Sequence, residues 1–374
     1  MSDMGTAPSG GLAVFVTSHG FGHLNRAVAV LNQTPPSIPI TIFTDLALFG
    51  HWRERLQRPA RLEARPADFG AYNPPGDSLT TDGPATIARA VEAHRDALSR
   101  LDDDVAALRD GGHAAVLCDA PSMPLVAARR AGIPGYLLAN FTWADIYEEH
   151  AGPLGNEAQR FVGSLRDEIA QATAIFRAEP ALPMTGMAPL VEVGMVVTPG
   201  RDRGEELRER LGLASGDRLV YFYVGRYGQD RLGWERLARL GNQGIHFVGF
   251  HPAPSPLANF HVVPAKAWTG ADLAASSDVA VAKAGYGTVC ETIVAGTPLV
   301  YPPRSGFAEH TALEWALEAW GGGVRVDPDD FRGLRLDAAL DLALSLRPGI
   351  PPYPTDGARR VARHLANLFG MDVD

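Results

Sequence analysis

Residues 277–303, SDVAVAKAGYGTVCETIVAGTPLVYPP, are the part of this chain best suited to holding an anion. Val279 to Ala282 read as a buried strand, Gly285, Tyr286 and Gly287 as a tight turn, and Thr288 as the opening of a helix. A second apolar strand, 299–301, follows the small residues 295–298. The first N–H groups of a helix lack internal partners, and the helix dipole favours negative charge there, so a glycine-lined helix start suits a phosphate. Glu291 falls one turn into the helix, on the side of the same turn. A phosphate cradle with a carboxylate one turn away suits a nucleotide, with diphosphate on the turn and ribose hydroxyls on Glu291. An ordinary strand–turn–helix of a parallel sheet has the same local pattern.

A second group of chemistry-bearing residues lies at 17–26, TSHGFGHLNR, directly after the first apolar run. Gly20 and Gly22 permit a tight turn, and His23 then opens a helix at the carboxyl edge of a sheet, where open α/β sheets bind ligands. A histidine there can act as a base near neutral pH. A loop histidine without a role, a second phosphate cradle, or a metal pair of His19 with His23 are the competing readings, the last lacking a third ligand. Asp119 ends the apolar run 114–118 in LCDAPSMPLVAARRAGIP. It can cap the helix expected from Pro121, hydrogen-bond His23, or do both, one oxygen for each. Phe141, Trp143 and Tyr147, in ANFTWADIY, suit an acceptor wall or helix-packing core.

Counted from Lys283, the residues Gly285, Tyr286, Thr288 and Glu291 are similar to the donor signature H-x-G-x-x-S/T-x-x-E of GT-B nucleotide-sugar glycosyltransferases. AGTPLVYPP and the segment Phe307, Ala308, Glu309, His310 resemble its A-G-x-P-x-x-x-x-P and F-A-E-Q continuation. Lys283 replaces the usual histidine, and two extra residues precede Phe307. The 17–26 stretch resembles the G-x-G-H-x-x-R opening of several GT-B enzymes and, more closely, the opening of the glycosyltransferase-like domain of L-arabinokinases. ANFTWADIY and RAEPALPM extend that likeness over most of the chain.

The resemblance implies roles. His23 would be the general base of an inverting transferase and Asp119 its orienting partner. Glu291 would hold the ribose, and Glu309 and His310 the hydroxyls of the donor sugar. Gly225 and Arg226 match a phosphate-facing loop, Trp268 a base-stacking position, and Lys283 with the 285–288 turn a site for the leaving diphosphate. The implied co-substrate is a UDP-linked sugar, with no other cofactor. No D-x-D cluster is present, so no metal is expected. The competing functions are a nucleotide-sugar hydrolase, with His23 activating water, and a nucleotide-sugar-binding protein without turnover. The kinase half of L-arabinokinase has no counterpart here, so arabinose phosphorylation is not expected.

Composition narrows the setting. The chain has 374 residues, long enough for two domains of ordinary size. With 46% hydrophobic and 21% charged residues it is globular in composition. A net charge of −9 without a basic run argues against a nucleic-acid partner. Two cysteines, Cys118 and Cys290, form no disulfide framework and fit a reducing compartment. There is no apolar run long enough to span a bilayer and no basic-then-apolar start, so a cytoplasmic location is expected.

Apolar strand-like runs alternate with helical segments throughout, the pattern of parallel α/β sheets. Strands are expected at 12–17, 39–44, 114–118, 135–139, 174–178 and 190–193, with one long helix over 85–109. After a boundary near 195–201 come strands at 218–224, 245–250, 260–263, 279–282, 299–301 and 323–326. The expected architecture is α/β and GT-B, two Rossmann-like doubly wound domains facing across a cleft. An acceptor domain would cover 1–197 and a donor domain 198–355, with a final helix in 356–374 able to pack back on the first domain.

Overall fold

The computed structural model describes residues 10–77, 79–225 and 232–371. The chain divides into two compact units. One comprises Met1–Tyr72, Asp82–Val197 and Tyr353–Asp374, and the other Asn73–Thr81 and Thr198–Pro352. The short segment Asn73–Thr81, expected in the first domain, thus belongs to the second unit. There Thr80 bridges Ser305, whose N–H donates to the Leu79 carbonyl.

The first unit holds seven parallel strands: β1 Gly11–Val16, β2 Ile40–Thr44, β3 Arg61–Ala64, β4 His113–Asp119, β5 Gly135–Ala139, β6 Ala174–Ala178 and β7 Leu190–Gly194. Their order is β3-β2-β1-β4-β5-β6-β7. β1 is buried along its whole length, as expected of a continuous apolar run covered on both faces. β3, RLEA, is an edge strand with no fully buried residue. Its polarity hid it from a search for apolar runs. The helix expected over 85–109 is two, Gly83–Ser99 and Leu101–Asp110. Asp102, Asp103 and Asp104 fill the first turn of the second helix, where carboxylates favour a new N-terminus.

The second unit holds six parallel strands: β8 Arg218–Tyr223, β9 Ile245–Gly249, β10 Phe260–Val262, β11 Val279–Ala282, β12 Leu299–Tyr301 and β13 Gly323–Arg325, in the order β10-β9-β8-β11-β12-β13. Val220, Phe222, Phe247, Val279 and Val300 form the centre of its core.

Each sheet reverses its strand order once. In the first, β1 lies between β2 and β4; in the second, β8 lies between β9 and β11. The chain leaves such neighbours in opposite directions, which opens a crevice at their carboxyl ends, the place where open α/β sheets take ligands. The sequence 17–26 leaves β1 and Asp119 ends β4; Gly225 follows β8 and Lys283 follows β11.

The last helix, Gly357–Leu368, belongs to the first unit. Its Gly357 N–H donates to the Met195 carbonyl at 3.0 Å, an approach so close that a Cβ would fall 2.5 Å from that oxygen. His364 on this helix meets the rings of Tyr136 and Phe176 edge-on.

Candidate functional site

The β1–β4 edge gathers a buried charged cluster. Gly20, at φ 78°, turns the chain into the helix Phe21–Leu31, a conformation that only glycine adopts without strain. His23 and Arg26, three residues apart, share one face of that helix. Asp119 is wholly buried, Arg26 3% exposed and His23 8% exposed. His23 Nδ1 lies 2.7 Å from Asp119 Oδ1. Arg26 grips the same carboxylate with two arms, Nε donating to Oδ2 at 2.9 Å and Nη2 to Oδ1 at 2.6 Å. Its Nη1 donates to Asn140 Oδ1 at 2.5 Å.

Burial works to raise the Asp119 pKa, but the charge and hydrogen bonds of Arg26, then those of His23, outweigh it and hold the carboxyl below its usual value. An ionised carboxylate only accepts hydrogen bonds, so Nδ1 of His23 carries the proton and Nε2 is left as the ring's acceptor. Asp119 does not cap the following helix, which begins at Met123 with Ser122 before it. Ala120, directly after Asp119, has φ 82°, a left-handed conformation that costs a non-glycine residue about 1–2 kcal/mol. Strain of this kind clusters where a side chain must be aimed.

Phe141, Trp143 and Tyr147 line this edge from within. All three are buried, as in the helix-packing reading of this segment and unlike an open acceptor wall. The Phe141 ring meets His23 edge-on at 5.7 Å, and Trp143 stacks on Tyr147. Their polar atoms hold a loop: Trp143 Nε1 donates to Asp68 Oδ2 at 2.6 Å, and the Tyr147 hydroxyl donates to the Phe69 carbonyl. His19 packs edge-on against Trp143 at 5.3 Å, and a Cβ on Gly70 would collide with the His19 ring at 2.0 Å.

At the β8–β11 edge, Gly285 is the extended N-cap (φ −126°) of the helix Tyr286–Ala295. The expected glycine turn is therefore the first turn of the helix, which starts two residues before Thr288. A Cβ on Gly285 or Gly287 would meet nothing within 4 Å, so space is open at this N-terminus. Gly225 has φ 80° and is likewise open. Tyr286 is buried. A Cβ on Gly270 would come 3.1 Å from both Glu291 Oε2 and the Tyr221 hydroxyl, so both oxygens lie close against Gly270.

Burial, then the charge of Arg304, lowers the Lys283 pKa to about 7, against the pull of Glu309. Arg304 lies 4.2 Å over the Phe307 ring, with its Nε shielded and unbonded. Glu309 and His310, in the first turn of the helix Glu309–Trp320, are both buried. His310 Nε2 is turned toward Glu314 Oε1 at 3.4 Å. Trp268 does not offer the stacking face expected of it. It is 1% exposed, and the Arg203 guanidinium lies 3.8 Å over its ring. Arg226 lies outside the described residues.

No family model matches the sequence. A curated relative, L-arabinokinase of Arabidopsis thaliana, is 28% identical over 342 residues, covering 90% of this chain. The chain spans only 32% of that relative's length. Among solved structures, a UDP-glucosyltransferase from Polygonum tinctorium capable of glucosylating indoxyl superposes with a TM-score of 0.62 at 16% identity, over 98% of this chain and 94% of that one. The calicheamicin glycosyltransferase gives a TM-score of 0.63 at 15% identity, covering 96% and 95%. An anthocyanidin 3-O-glucosyltransferase in complex with UDP gives 0.58 at 15%, covering 97% and 95%.

The fold is GT-B.

Within this GT-B chain the expected residues separate by sheet edge. His23 and Asp119 meet at the first, and Gly225, Lys283, Gly285 and Thr288 gather around the second. Four further residues were not assigned from sequence: Arg26, Asn140, Asp68 and Arg304. Arg26 had a readable signal, its helical spacing from His23. The others lie in loops, where no periodicity marks a buried side chain.

Proposed function

We propose that this chain is an inverting, metal-independent glycosyltransferase that moves a sugar from a UDP-linked donor to a hydroxyl of an acceptor. The observation that carries the reading is the His23–Asp119 hydrogen bond at the β1–β4 edge, which leaves Nε2 as the free acceptor. Likeness to UDP-glucosyltransferase structures over nearly the whole chain supports the same reaction class.

In the reaction, His23 Nε2 takes the proton of the acceptor hydroxyl. The oxygen's electron pair forms a bond to the anomeric carbon, the bond from that carbon to the diphosphate oxygen breaks, and UDP leaves with its electrons. Attack opposite the leaving group inverts the configuration. The N–H groups at Gly285, Tyr286 and Gly287 and the cations Lys283 and Arg304 offset the charge that grows on the diphosphate. Those cations do what a metal would otherwise do. Glu291 holds the ribose and Glu309 the donor sugar, with His310 beside it.

The test is UDP release from a panel of UDP-, dTDP- and GDP-sugars, with and without candidate acceptors, alongside the product's anomeric configuration by NMR. Release that depends on acceptor, with an inverted product, is expected. Fast release without acceptor and stoichiometric free sugar would make the protein a hydrolase.

Lys283 gives a pH prediction. A bound diphosphate favours the charged ammonium and raises its pKa above the free value of about 7. Binding then takes up a proton above pH 7, and donor affinity should fall up to about tenfold per pH unit there. Calorimetry in buffers of different ionisation enthalpy reads the proton uptake directly. The variant Lys283→Arg should lose the dependence; an unchanged slope would remove Lys283 from the diphosphate site.

A further inference from the structure

Asp119 is a weak counter-ion for a protonated His23. Arg26 occupies both of its oxygens, and Arg26 Nη2 lies 3.2 Å from His23 Nδ1. Arginine and aspartate together are neutral, with the positive member close to the ring. A histidine that becomes an imidazolium in a buried site is stabilised by negative charge that nothing else cancels. Asp119 therefore orients His23 but contributes little uncancelled field.

The uncancelled carboxylate is Asp68. Its Oδ2 accepts from Trp143 Nε1, while Oδ1 is shielded from solvent and accepts no hydrogen bond. Among the described residues, no lysine or arginine lies within ion-pair distance of it. Asp68 and His23 share Trp143, whose Nε1 bonds the Asp68 carboxyl and whose ring lies 6.1 Å from the His23 ring, and the charge of His23 pulls the Asp68 pKa down while that of Asp119 raises it. The Tyr147 hydroxyl and the Cys118 thiol feel its charge in turn. Of the cations at this loop, Arg89 covers the rings of Tyr72 and Phe69, and Arg100 donates to the Pro66 carbonyl. The loop is also held firmly, by Trp143, by Tyr147 on the Phe69 carbonyl, and by His19 against Gly70. Leaving a buried carboxylate without a cation is costly, and such groups concentrate at functional sites.

We propose that Asp68 is a positioning residue, the counter-ion whose field stabilises the His23 imidazolium while the acceptor hydroxyl gives up its proton. This rests on the reading of His23 as the base. The proton goes from the acceptor oxygen to His23 Nε2, and Asp68 acts through its charge without taking part in the bond changes. Burial pushes the Asp68 carboxyl up to about 6, against Thr17, Trp143 and His23, so this field is present above that pH and fades below it.

The test is an NMR titration of the His23 ring in the whole protein, which needs no turnover. The variant Asp68→Asn keeps an oxygen for Trp143 and nearly the same volume. Its His23 ring should titrate roughly one pH unit lower than the parent's, the shift that loss of a nearby opposite charge produces. Its kcat should fall about tenfold at pH 7, with acceptor KM unchanged, and Asp68→Glu should recover part of the rate. In the parent, the ring signal should carry a second inflection near pH 6, where Asp68 ionises. That measurement serves if the asparagine variant does not fold. Identical His23 titrations in parent and variant, no inflection in the parent, or a loss confined to acceptor KM would each overturn the proposal. If His23→Ala kept its turnover while these shifts appeared, the base assignment would fail and the field of Asp68 would stand.

Discussion

Replacing His23 by alanine is expected to lower turnover about 10²–10⁴-fold, the usual contribution of a general base, with donor affinity unchanged. His23 belongs to the first unit, and the residues proposed to hold the donor belong to the second. The measurement pairs acceptor-dependent UDP release with calorimetric titration of UDP and the intact donor. Near-native turnover would show that another group takes the proton. A loss of donor affinity as large as the loss of turnover would show instead that His23 binds the donor.

The second large effect concerns folding as much as catalysis. Asp119→Asn removes the carboxylate charge that Arg26, almost fully buried, grips with two arms. Breaking a buried ion pair from one side costs about 3–5 kcal/mol, because the remaining charge is stranded away from water. The asparagine variant should therefore lose about that much stability in denaturant titrations, besides losing the acceptor that fixes the His23 tautomer. The double change Arg26→Met with Asp119→Leu should regain most of the stability while remaining inactive, since it leaves no stranded charge. A loss under about 1 kcal/mol for Asp119→Asn would mean that Arg26 finds another partner, and the cluster would not be the fixed unit described above.

Much of the architecture was legible in the sequence. Strands buried on both faces read as continuous apolar runs, and β1, β2, β4, β5 and β6 of the first sheet and β8, β9, β11 and β12 of the second fall where such runs are found. β3 escaped because an edge strand need not be apolar. His23 and Asp119 could be singled out because each stands directly after an apolar run, at the carboxyl end of its strand. That they touch was not legible, since 96 residues separate them and only the β1–β4 pairing brings them together. The partner of Asp119 had to be chosen between the next helix and His23, and the structure gives both oxygens to His23 and Arg26.

The aromatic residues show the opposite limit. Phe141, Trp143 and Tyr147 have the same composition whether they face a ligand or the core, and only packing places them inside. Trp268 is misread from sequence for the same reason, its ring being covered by Arg203 from a distant part of the chain. Sequence by itself determined the alternation of strands and helices, the glycines that open space at the two helix starts, and the acidic and basic residues beside them. Local order along the chain sets those features. Tertiary structure alone decided which charges are cancelled: Arg26 against Asp119, Lys283 with Arg304 against Glu309, and Asp68 with no lysine or arginine paired to it among the described residues. Burial and pairing depend on residues far apart in sequence, and in a site withdrawn from water they set both pKa and reactivity.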